Sequence, residues 1–147
     1  MLKKLLPWLM IFTLVAFGSA TSVVGQTPTT QKPGIIKVVK VTGTVMAVKD
    51  GVKVNLQNGA EISQGYVVNT AKDASVVLVF SNGATLNLAQ DSSLAIDEFL
   101  QDPFSNEVSV SSLKAEPSVS TTKLNLSRGE LVGNVKKLNH DGGSTFE

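Results

Sequence analysis

From Ile35 onward, apolar and β-branched residues come in short runs broken by turn signals at intervals of roughly ten residues, which predicts strands. Ile35 to Val48 reads as one long or broken strand, with Gly43 as a bulge or bend. Lys49-Asp50-Gly51 carries the Asp-Gly pair favoured in tight hairpins. Val52, Val54 and Leu56 then alternate with Lys53, Asn55 and Gln57, the mark of a half-buried strand, and Asn58-Gly59 is the next hairpin signal. Ile62 and Tyr66 to Val68 supply a short strand around Gly65. Ala74 to Phe80 is apolar except at Ser75, which predicts a central strand covered on both faces. Asn82-Gly83 turns the chain into Leu86 and Leu88, and Leu94 with Ile96 completes another short strand. Val76, Leu78, Phe80, Leu86 and Leu88 are the expected core, with Val77 and Val79 facing a second layer.

Residues 100–122 differ. They are Ser-rich, contain Pro103 and Pro117, and read either as a long loop or as a loop holding one strand with Val108 and Val110 inward. Leu124 to Leu138 returns to the strand pattern, with a turn at Ser127-Arg128-Gly129-Glu130. The expected fold is all-β, short antiparallel strands stacked as a sandwich or in a solenoid-like manner.

The N-terminal segment follows another rule. Met1 to Lys4 is positively charged, Leu5 to Phe17 is apolar except at Pro7 and Thr13, and Gly18-Ser19-Ala20 places small residues at a cleavage site. That is the build of a secretory signal peptide over residues 1–20, with an alternative cleavage after Gly25. The competing reading is an uncleaved anchor, which needs about 20 apolar residues. Residues 21–34, rich in Thr, Gln and Pro, read as a flexible linker before a β domain at 35–147. The expected location is periplasmic or secreted.

Composition narrows the function. Formal net charge is +1 and no basic stripe appears, so nothing points to nucleic acid. The absence of cysteine excludes disulfides, cysteine-based zinc sites and thiol catalysis. Trp8 belongs to the leader, leaving Tyr66 as the only other aromatic besides Phe, which argues against a sugar-stacking platform.

The glycine-placed turns carry a resemblance. Val41-Thr42-Gly43-Thr44-Val45, then Gly59 to Thr70, then Ser75 to Phe80 with Ser81-Asn82-Gly83 and Ala84 to Leu88, then Ser92 to Ile96, follow in the order of the FecR domain. The chain resembles that periplasmic family over about residues 36–147. Tyr66 stands where the family usually has Asp, and the chain stops at Ser144 to Glu147, where a later family segment with an Arg-Gly-Thr element would begin. This implies either a naturally short protein or a fragment. If Leu131 to Leu138 and Thr145-Phe146 are consecutive strands turned at His140 to Gly143, an edge is left without its partner. The resemblance implies an extracytoplasmic sensing or interaction module. The family's cytoplasmic role does not carry over, because four residues precede the apolar run.

No residue set carries recognisable catalytic, cofactor or metal chemistry. His140, the only histidine, lies in Asn139-His140-Asp141-Gly142-Gly143, which is turn composition. Ser127 and Ser144 lack a nucleophile-elbow context. Asp97, Glu98 and Asp102 read as a solvated strand terminus rather than a calcium site. Arg128, Lys136 and Lys137 lie near one another in sequence, but Lys136 and Lys137 face opposite sides of a strand, so one edge-protecting lysine is expected rather than a basic groove. The expectation is therefore a non-enzymatic binding, interaction or sensing module without cofactor, which pairs with an envelope protein or itself through a β edge and touches membrane only through an uncleaved leader. The alternatives are a membrane-anchored signal transducer, and a carboxylate-based wall hydrolase using residues among Glu61, Asp73, Asp91, Asp97 and Glu98.

Overall fold

The computed structural model describes residues 30–105 and 109–147, so the leader, residues 21–29 of the linker and Val108 lie outside the described residues. The chain is all-β, with twelve strands among the described residues: β1 Lys32–Pro33, β2 Ile36–Thr42, β3 Val45–Lys49, β4 Val52–Asn55, β5 Glu61–Ile62, β6 Val67–Thr70, β7 Ser75–Phe80, β8 Thr85–Leu88, β9 Ser93–Gln101, β10 Ser120–Arg128, β11 Leu131–Asn134 and β12 Thr145–Phe146. They form a sandwich. One sheet runs β12-β10-β9-β6-β3-β4, with β1 also on β9, and the other runs β11-β8-β7-β2-β5. Every pairing between these strands is antiparallel except β10 with β12.

Two turns make true hairpins. Asp50 and Gly51 both have positive φ, 51° and 79°, the backbone that matches strand twist in a two-residue loop joining β3 to β4. Asn82-Gly83 joins β7 to β8. Most other connections switch sheets. Gly43 breaks the Ile35 to Val48 run, at φ 69°, where a Cβ would sit 2.9 Å from the Ala74 methyl, and it sends β2 and β3 to different sheets. Asn58-Gly59 proves to be a crossing from β4 to β5 rather than a hairpin, closed by Gly59 N–H to the Val38 carbonyl at 2.7 Å. Gly65, at φ 86°, separates β5 from β6 in the same way.

The core lies between the inner faces. Val76, Leu78, Phe80, Leu86 and Leu88 are all fully buried, joined by Ile36, Val38, Val45, Val68, Leu94, Ile96 and Phe99. Each such side chain stabilises the fold by about 1.5–3 kcal/mol. Phe80 and Phe99 meet edge to face across the layers, with ring centroids 4.9 Å apart.

Several expectations change. β7 is central in its sheet but covered on one face only, since Val77 and Val79 are half-buried on the outer side. Val52 and Val54 are 64% and 49% exposed, because β4 ends its sheet opposite a two-residue β5. Lys32 and Pro33, inside the segment read as a flexible linker, pair with Gln101 and Leu100. Both ends of the 100–122 segment are strand, and Val110 opens a short 3-10 turn. The strand at Leu94 and Ile96 continues to Gln101 because a bulge at Asp97 shifts the phase, turning Phe99 and Gln101 inward.

Candidate interaction site

The two ends of β10 are finished in opposite ways. At its start, a polar network ties three parts of the chain together. Asn82, 2% exposed in the β7–β8 hairpin, accepts from the Ala84 N–H with its Oδ1. Its Nδ2 donates across the layers to Ser120 Oγ at 3.1 Å and Thr122 Oγ1 at 3.3 Å. Ser120 Oγ donates to Glu116 Oε2 at 2.7 Å. Glu116 Oε1 accepts from the Asn139 N–H at 2.6 Å and from Ser144 Oγ. Ser144 Oγ in turn accepts from the Ser120 N–H at 3.1 Å. A carboxylate can only accept, so Glu116 suits a place where three donors converge. The network fastens residues 139–147 to β10 and to the opposite sheet.

Past Thr122 the same strand is open. β12 pairs only with Thr121 and Thr122, and the last contact is the Leu124 N–H to the Glu147 carbonyl at 2.9 Å. Leu124 and Leu126 stand opposite Ile96 and Leu94 in register, and directly opposed residues share a sheet face, so both leucines point toward the core. Leu94 is fully buried, yet Leu126 is 38% exposed. On the other sheet Leu131 and Gly133 stand opposite the buried Leu88 and Leu86, and β11 has no further partner strand among the described residues. The seam between β10 and β11 therefore leaves core-facing positions uncovered. The far end of the first sheet repeats this at β4, where Val54 stands opposite the buried Ala47. Unpaired backbone beside exposed apolar side chains can take up another strand.

The residues weighed from sequence fall elsewhere. His140 opens an exposed 3-10 turn whose Asn139 side chain accepts from the Gly142 N–H. Ser127 Oγ donates to the Ser93 carbonyl at 3.3 Å. Asp97 and Glu98 lie at the β9 bulge, and the Asp102 carbonyl accepts from Ser118 Oγ at 2.7 Å. Glu61 pairs with Lys37 at 3.7 Å on the exposed surface, while Asp73 and Asp91 hold positive-φ turn positions. Among the described residues no group of three or more His, Asp or Glu is placed to hold a metal ion. The Arg128 Nε donates to the Asp91 carbonyl at 2.9 Å, and the Lys136 stem lies over Gly83. Lys49 Nζ sits 5.1 Å from the Tyr66 ring centroid.

Sequence reasoning missed Glu116 and the inward role of Asn82. A lone Glu before Pro117 in a Ser-rich stretch carries no periodic signal, and Asn-Gly announces only a turn.

A groove of about 810 Å³ on the outer face of the β7 sheet is lined chiefly by Ile35, Val39, Val79, Phe104 and Val110. Beside it, Gln101 Nε2 and Asp102 Oδ1 are buried without a hydrogen-bond partner. No family model matches the chain, and no curated protein or solved structure matches it significantly.

Proposed function

We propose that this chain is an exported, non-enzymatic interaction module of the cell envelope, which binds by adding a strand to an open sheet edge. The observation that carries the reading is the β10–β11 seam, where core-facing leucines border an unpaired edge. Strand addition supplies main-chain hydrogen bonds for affinity and alternate side chains for specificity. Both are available beyond the Leu124 N–H, over Asn125 to Arg128. The FecR-like order of glycine turns and the leader composition support an extracytoplasmic setting. The polar network supports a binding role as well, since its hydroxyls and carboxylate are engaged in holding backbone segments.

Crosslinking in envelope fractions, followed by size exclusion with light scattering of the purified protein, tests this. The expected result is a recoverable complex, lost when Leu126→Lys places a charge on the seam. A strict monomer with no recoverable partner overturns the reading.

A further inference from the structure

Residues 139–147 reach from the β11 side of the sandwich to the β10 edge and dock there by few contacts. Asn139 and Ser144 bond to Glu116, Thr145–Phe146 lies parallel to Thr121–Thr122, and Glu147 exchanges backbone bonds with Thr122 and Leu124. Only Ser144 is fully buried in this segment, with Phe146 half-buried against the core. The connection before it, residues 135–138, is held by an isolated bridge from Lys137 to Ala115 and by the Glu116 N–H to the Lys137 carbonyl at 3.0 Å.

We propose that the 139–147 segment is an exchangeable arm, and that the partner of the β10–β11 seam is a second copy of this chain whose arm occupies the same seat. The seat already fits this segment, so the same segment from another copy makes the same bonds: Glu116 to Asn139 and Ser144, and β10 to β12. Exchange of an identical element keeps those contacts and changes only the path of the connection, which makes it a low-cost route to a dimer. The gain comes from the seam. Two copies joined through their arms meet beside the β10 and β11 edges, where Leu126 and Val135 are exposed at 38% and 40%. Covering them offsets part of the translational and rotational cost of association. This rests on the strand-edge reading above and names its partner.

The chain has no cysteine, so a Thr121→Cys, Thr145→Cys variant of the full chain reports which arm fills which seat, because the two positions are direct neighbours across β10 and β12. Oxidation of dilute and concentrated samples is followed by non-reducing electrophoresis. The expected result is a covalent dimer whose share rises with protein concentration. Mixing the separate T121C and T145C proteins is expected to give the mixed disulfide. Leu126→Lys, which places a charge on the seam and leaves the seat unchanged, is expected to lower the dimer share several-fold. An internal disulfide alone at every concentration overturns the proposal, as does a dimer insensitive to Leu126→Lys. Recovery of a different envelope protein on the seam, with only internal disulfides, would sink arm exchange and leave the strand-edge function standing.

Discussion

The first three residues of β10 and the last five share one strand and one partner, β9, yet they invert the usual rule of burial. Ser120 and Thr122 are polar and fully buried, whereas Leu126 is apolar and more than a third exposed. All of them face inward. The difference lies in what stands opposite. Asn82 reaches across the layers to the first part, and the 139–147 segment closes its flank. The second part has no strand beyond it among the described residues. Side-chain direction is a local property set by the two-residue period, while burial is a property of the neighbours.

The largest separation between the two regions is expected from Leu94 and Leu126, which are register partners. Leu94→Ala empties a site in the closed core and is expected to destabilise by about 2–5 kcal/mol in urea unfolding. If Leu94→Ala proves near neutral, the core does not close behind the seam as described.

Next comes the corner that joins the two edges. Gly129 has φ 91°, and a Cβ there would overlap Ser92. Gly129→Ala combines a left-handed backbone with overpacking, for a loss of about 2–4 kcal/mol by the same measurement. A fully stable G129A protein would show that β10 turns into β11 by another path.

Asn82→Ala removes the bridge at the closed end and leaves the Ser120 and Thr122 hydroxyls without their donor, at a cost of about 1–3 kcal/mol. It is expected to loosen the 139–147 segment, read as faster amide hydrogen exchange at Glu147 and Leu124. Unchanged exchange at those amides would separate the arm from the network.

The smallest effect is expected at the open end. Leu126→Ser should change stability by about 0.5 kcal/mol or less, the range of an ordinary surface substitution, while reducing association. A loss as large as that of Leu94→Ala would mean that the seam is closed.

Much of this fold is legible in the sequence, and the places where legibility fails share causes. The strand from Ser75 to Phe80 and the Asp50-Gly51 hairpin are local features, and both are found where the pattern puts them. β9 is harder to read, because the bulge at Asp97 shifts the alternation and hides Phe99 and Gln101 from a period-two reading. β10 begins with hydroxyl residues that look like loop until Asn82 is brought against them. β4 reads as half-buried, since Val52 and Val54 alternate correctly, but the sheet opposite is too short to cover them.

The sequence by itself determined the strand-forming class, the core residues of β7 and β8 and the Asp50-Gly51 hairpin, because each depends on neighbours a few positions apart. Only the tertiary structure decided which corners switch sheets, which inward faces are covered, and that Glu116 gathers Ser120, Asn139 and Ser144. Those outcomes join residues distant along the chain, and alternation carries no information about what arrives from the other layer.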